Sequence, residues 1–124
     1  MATNSAGYHE AEEHLTAGTR DMHRALVSLM EELEAVDWYQ QRIDATGDDE
    51  LRAILEHNRD EEVEHAAMVL EWIRRKNPTF EARLREYLFT EAPIVGREAV
   101  LMNRNGAARH REPRVSVGSL RGGR

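Results

Sequence analysis

The chain has 124 residues, of which 40% are hydrophobic and 32% charged; it carries a net charge of −6 and has no cysteine. That length holds one small domain, and the absence of cysteine removes disulfides, thiolate ligands and thiol nucleophiles together. Any metal must then be held by carboxylate, imidazole or water, a donor set that suits iron, manganese, zinc or a harder cation.

The charge is unevenly spread. Residues 97–124 hold seven Arg against two Glu, so the rest of the chain carries −11. An acidic body repels phosphate backbones, which argues against nucleic acid as a partner despite the basic tail. No run approaches the ~18 apolar residues of a membrane span, and the opening MATNSAGYHEAEEHL has neither the basic start nor the apolar centre of a secretory signal. A cytoplasmic protein without a membrane partner is expected.

Residues 1–9 are expected to form a flexible N-terminus. From about residue 10 to residue 43, Met22, Leu26, Leu29, Leu33, Val36 and Ile43 recur at helical spacing, with Gln40 as the single polar member of the stripe. Gly18 weakens the first turns of this helix. The segment DATGDD, residues 44–49, breaks the pattern, and Asp48 or Asp49 can cap the next helix.

The second helix is predicted to reach about Lys76. Its stripe runs Leu51, Leu55, Asn58, Glu62, His65, Val69 and Trp72, apolar at both ends and polar in the middle. Asn77 and Pro78 then read as a cap and a first helical residue. Phe80, Leu84, Tyr87 and Leu88 give this short third helix its apolar face. Beyond Pro93 the pattern fades, and residues 97–113 are expected to be a flexible basic linker before a final segment, 114–124, that regains apolar character in VSVGSL.

No segment alternates with period two, so the fold class is all-α: an antiparallel two-helix hairpin plus a short C-terminal helix. Helices of this length are ~40 to 50 Å long at 1.5 Å per residue. A lone hairpin leaves each apolar stripe half covered, so association with another copy is expected.

The polar centre of the second stripe carries the chemistry. Glu62 and His65 stand three apart, on one helical face where both reach a single point. Composition alone predicts about one Glu-x-x-His pair in such a chain, so the spacing gains meaning only from its place in a seam. A carboxylate and an imidazole inside a packed seam need a cation or a hydrogen-bond network between them. Glu32, three residues beyond Leu29, borders the first stripe, and a hairpin turning near residue 46 brings it level with positions 60 to 62. Di-iron four-helix proteins of the ferritin-like type use a Glu from each of two helices and a Glu-x-x-His from each of the other two. This chain holds half that set, which a two-fold dimer completes, so residues 10–96 read as a ferritin-like half-bundle.

The alternative for the trio is a solvated face or a buried hydrogen-bonded network. Asn58 reads first as an amide that sets helix register. Glu31 and Glu34 form either an outer cation-attracting site or plain solvated surface, and Trp38 either walls a metal from water or packs in the core. His23, His57, Glu61 and Glu64 are expected on the surface. No Ser with a companion His and acid stands at a turn, so a nucleophilic triad is not supported.

With these residues in place, the chain resembles the encapsulated ferritins of bacterial encapsulin compartments. The segments SLMEELEAVDWYQQRIDA, ILEHNRDEEVEHAAMVLEWIRR and YLFTEAPI carry the resemblance, and VSVGSL looks like an encapsulin-targeting peptide. The resemblance implies that Glu32, Glu62 and His65 are the ligands of a ferroxidase centre holding two iron ions per dimer, formed only when two chains pair. It implies that Glu34 and Trp38 flank the metal's access route, that Glu31 belongs to an outer acidic site, and that Tyr39 lies close to the centre. It implies a ring of dimers, typically a decamer, which oxidises Fe(II) and leaves storage to an encapsulin shell. Val115, Val117, Gly118, Ser119 and Leu120 are the expected shell-docking residues. The alternative is a non-enzymatic helical adaptor that oligomerises and docks through its C-terminal peptide; a zinc-binding structural dimer is a third reading.

Overall fold

The computed structural model describes residues 6–109, with side chains to residue 103. Four helices follow in order: α1 Ala17–Ala45, α2 Asp49–Lys76, α3 Pro78–Tyr87 and α4 Ile94–Arg109, preceded by a single 3-10 turn at Glu12–His14. There is no strand among the described residues, as the periodicity predicts. None of these helices is long and apolar enough to cross a membrane. The chain forms two compact units, divided at Ile73 and Arg74.

The first unit contains α1 and most of α2. Helix α1 begins later than its apolar pattern suggests, at Ala17 rather than about residue 10, because Thr16 caps it: the Thr16 hydroxyl accepts the Thr19 amide at 3.0 Å. Arg20 reaches back to the Leu15 carbonyl at 2.6 Å and ties the incoming segment down. Helix α2 is capped by the first of the two predicted aspartates, with the Asp48 carboxylate accepting the Leu51 amide at 2.8 Å.

Between the helices only Thr46, Gly47 and Asp48 turn the chain. Arg52 stabilises this turn by donating to the Ile43 and Thr46 carbonyls at the end of α1, which a helix C-terminus otherwise leaves unpaired. Contacts step in opposite senses along the two helices: Ile43 with Arg52, Gln40 with Arg59, Glu32 with His65. That progression is the antiparallel register of the expected hairpin.

Ile43, Leu55, Ala66 and Ile73 are buried. Leu33 and Leu51, expected within the stripes, are instead 56% and 45% exposed, and Met30, Trp38, Ile54, Val63 and Met68 are exposed beside them. Each helix carries an apolar stripe broader than one facing helix covers, so the border residues remain on the surface.

In the second unit, the Asn77 side chain accepts the Phe80 amide at 2.9 Å and Pro78 takes the first helical turn of α3, as predicted. Arg74 and Arg85 both grip the Glu81 carboxylate. These two guanidinium groups, Arg85 foremost, hold the Glu81 carboxyl below its usual range. Helix α3 ends at Tyr87, with Leu88 as its C-cap, followed by Phe89 in the left-handed region at φ 58°.

Helix α4 departs from the expected flexible linker over 97–113, since the chain is helical to Arg109. Glu98, Ala99, Leu101, Met102, Ala107 and Ala108 are strong helix formers, and Leu101 is buried. Arg97 anchors the first turn by donating to the Glu86 carbonyl at 3.0 Å. Residues 110–113 and the expected docking segment 114–124, with Val115, Val117, Gly118, Ser119 and Leu120, lie outside the described residues.

Candidate metal centre

The hairpin brings Glu32 of α1 to Glu62 and His65 of α2, and one ligand atom from each lies within 4.8 Å of the others. His65 Nδ1 is 2.9 Å from Glu62 Oε1 and 3.5 Å from Glu32 Oε2. The i,i+3 spacing places Glu62 and His65 together, and the antiparallel register supplies Glu32 from across the seam. Both carboxylates are about three-quarters buried, whereas half of the imidazole faces solvent.

Glu32 Oε2 is buried and accepts no hydrogen bond. His65 Nδ1 makes its hydrogen-bond contact with Glu62 Oε1 instead, at 2.9 Å. A buried carboxylate oxygen without a partner costs more than an ordinary hydrogen bond returns, and native proteins tolerate few of them. Burial pushes the Glu32 carboxyl above its ordinary range, and the neighbouring Glu62 carboxylate adds to the rise. The hydrogen bond to Glu62 raises His65 in turn. Two carboxylates held this close without a full counter-charge form a cation-seeking group. An oxygen, oxygen and nitrogen donor set suits a divalent metal such as iron, manganese or zinc, and an ion among the three would give Glu32 Oε2 the partner it lacks.

The other expected residues are not members of this three-residue group. Glu31 and Glu34 are exposed on α1, and among the described residues no second set of three metal-capable side chains forms. Trp38 is half exposed, and Tyr39 is partly buried with the Arg42 guanidinium 5.6 Å from its ring centroid. Asn58 is partly buried. His57 pairs with Glu61 at 3.3 Å on the surface, as expected, and Glu64 is exposed. His23 differs from expectation: it is partly buried, with its ring 4.7 Å from that of Tyr8.

One turn from the cluster, toward the start of α1, an open groove of about 490 Å³ is lined by Ala25, Ser28, Met68, Val69 and Trp72. The Asp21–Arg24 ion pair borders it. Arg59 carried no signal in the sequence, yet it crosses the hairpin to Gln40, the one polar interruption of the α1 stripe, at 2.8 Å.

Known proteins are similar to this chain over most of its length. A 130-residue alignment with the "Encapsulated ferritin-like protein" of Rhodospirillum rubrum is 51% identical and covers 98% of this chain and 93% of that protein. The "Encapsulin nanocompartment cargo protein EncC" of Myxococcus xanthus is 39% identical over 99 residues, covering 73% and 76% of the two chains. A crystal structure of a Nitrosomonas europaea protein superposes with a TM-score of 0.69 at 64% identity, covering 71% of this chain and 97% of that one. The EncFtn-like family model matches residues 7–91, and with these relatives it establishes that the chain belongs to the EncFtn-like family.

Proposed function

We propose that the chain is a ferroxidase, which oxidises Fe(II) to Fe(III) with oxygen at a two-iron centre shared between two subunits and passes the product to an encapsulin shell for storage. The observation that carries this reading is the Glu32, Glu62 and His65 cluster with its unpartnered Glu32 oxygen. One chain supplies one lone Glu and one Glu-x-x-His, half of the four-helix two-metal set, and a two-fold axis through this partly exposed face supplies the rest. The exposed apolar residues around the hairpin favour such pairing, and the ring expected of the family, typically a decamer, builds on it.

In the metal-free chain the His65 proton offsets the two carboxylates. When Fe(II) enters as substrate, His65 gives up its Nδ1 proton, and Glu32 and Glu62 turn their charge from the imidazole to the ion. Iron bound there would supply the redox chemistry: each Fe(II) would lose one electron, and a pair would give two electrons to O₂, which takes up two protons and leaves as hydrogen peroxide. Glu31 and Glu34 draw Fe(II) toward the centre, and Trp38 and Tyr39 border it. The encapsulated and cargo designations of the relatives support a shell partner, engaged through Val115, Val117, Gly118, Ser119 and Leu120.

Fe(II) oxidation by the purified oligomer in air, above buffer autoxidation and blocked by zinc, tests the reading. Glu62→Ala and His65→Ala each lower the rate at least tenfold while helical content is retained. Equal rates in the wild type and both variants would overturn it.

A further inference from the structure

The three metal-capable side chains meet only if α1 and α2 hold one axial register. Apolar packing specifies register weakly, because a seam of Leu, Val and Met side chains re-forms after a small slide. A slip of one residue displaces a helix by ~1.5 Å and turns its side chains by about 100°. That is enough to part Glu32 from Glu62 and His65. A polar pair that bridges the two helices across such a seam forms its hydrogen bond in one register alone.

One such pair is present. Gln40 Oε1 accepts from Arg59 Nη1 at 2.8 Å across the hairpin. Arg59 is about three-quarters buried and is held from its other side by Asp60, whose Oδ1 accepts from Arg59 Nε at 3.0 Å. Gln40 follows Glu32 by eight residues, close to two helical turns. Arg59 precedes Glu62 by three, within one turn. The pair therefore bridges the two helices at the exposed border of the seam, at a height between the cluster and the Arg52 contacts at the hairpin turn. Arg52 fixes the turn end, and Gln40 with Arg59 carries that register up to the metal ligands.

We propose that Gln40 and Arg59 are positioning residues: their hydrogen bond clamps the register of α1 on α2 and so holds Glu32 level with Glu62 and His65 for metal binding. The metal-binding half of this inference rests on the functional reading above; the register half does not. The clamp also explains why the α1 stripe carries a single polar residue. Gln40 is exposed and contributes little to packing; its amide nitrogen donates to Asp44 Oδ1 at 3.0 Å on its own helix, which orients the amide oxygen toward Arg59.

The absence of cysteine allows a direct test. Spin labels are attached to Met30→Cys and Glu56→Cys, exposed positions on α1 and α2 whose separation is sensitive to sliding, in metal-free oligomer diluted with unlabelled chains. The Gln40→Leu/Arg59→Leu variant is expected to broaden or shift the distance distribution, lower Co(II) affinity at least tenfold, and leave the thermal midpoint equal or raised. Gln40→Glu, which keeps an acceptor for Arg59, is expected to match the wild type in distance and affinity. An unchanged distance distribution in the leucine variant overturns the clamp. A shifted distribution with unchanged affinity overturns its role at the metal site, and a thermal midpoint that falls in step with affinity reduces the pair to a general stabiliser. A wild type that binds no Co(II) removes the functional reading instead, while the distances still decide the clamp.

Discussion

The His65 imidazole on α2 stands 3.5 Å from the Glu32 carboxylate on α1, yet the Glu32 oxygen facing it accepts no hydrogen bond. His65 Nδ1 instead lies within hydrogen-bond distance, 2.9 Å, of Glu62 Oε1, one turn away on its own helix. The contact across the seam is therefore electrostatic, and the local one is a hydrogen bond. An ion placed among the three satisfies both carboxylates at once, which a single proton on His65 does not. The metal-free arrangement is a stand-in whose strength depends on pH.

That dependence has a definite sign. The Glu62 hydrogen bond raises the His65 pKa above its ordinary 6.5, and burial raises Glu32 above its ordinary 4.5. A raised folded-state pKa means that the native protein holds its proton more tightly than the unfolded chain. The His65 contribution to stability is complete below 6.5 and is lost as pH rises through the raised value. Metal binding has the opposite dependence, because the ion must displace that proton. Thermal midpoints of chelator-treated wild type and His65→Ala, compared at about pH 6 and about pH 8, should differ more at the lower pH. With Co(II) added, the wild type's gain in midpoint should be larger at the higher pH.

The hairpin turn offers a test of local stability. The Asp48 carboxylate accepts the Leu51 amide at 2.8 Å, one of the amides that the start of α2 otherwise leaves unpaired. Asp48→Ala should cost about 1 kcal/mol, and Asp48→Asn should recover most of it. Urea unfolding at one fixed protein concentration, with metal removed, checks both, because assembly and metal each shift apparent stability by mass action.

Much of this arrangement was legible because it is local. The caps at Asp48 and Asn77, the proline that opens α3, and the Glu62–His65 spacing depend on neighbours a few residues away. Glu32 was legible from one further step, the symmetry of a short hairpin. What escaped depends on contacts between elements. Helix α4 was hidden by Asn103, Asn105 and Gly106, poor helix formers, while its anchors are the Glu86 carbonyl and the burial of Leu101. The later start of α1 turns on the Thr16 cap, which an apolar count running back from Met22 passes over. Leu33 and Leu51 lie out of the seam because periodicity gives the width of a stripe but not how much of it one partner covers. Arg59 gives no sign in a sequence, where it is one arginine among many, until its hydrogen bond to Gln40 is seen.

Removal of residues 114–124 should separate chemistry from addressing. The proposed iron site lies wholly within α1 and α2, so a truncated chain is expected to keep the wild-type rate of Fe(II) oxidation. It should no longer co-purify with a co-expressed encapsulin shell, and Val117→Asp/Leu120→Asp in the full chain should lose the shell in the same way. Retention of the truncated chain in the shell would place the docking determinant elsewhere.

The sharpest division between an iron oxidase and a passive adaptor comes from Glu62→Leu/His65→Leu. If the cluster serves only to hold the helices together, filling it with apolar side chains preserves assembly and the protein's whole role. Replacing both members of a polar pair by packed apolar groups is often neutral or stabilising, since the cost of keeping charge away from water disappears. Glu32 complicates this by losing its imidazole neighbour, so the matching triple variant with Glu32→Gln is measured beside it. An oxidase should show intact helices, an equal or higher thermal midpoint without metal, no rise in midpoint when Co(II) is added, and Fe(II) oxidation at the buffer rate. Stability gained while function is lost is the signature of a site maintained for its chemistry. A variant that keeps the wild-type oxidation rate would place the activity away from α1 and α2 altogether.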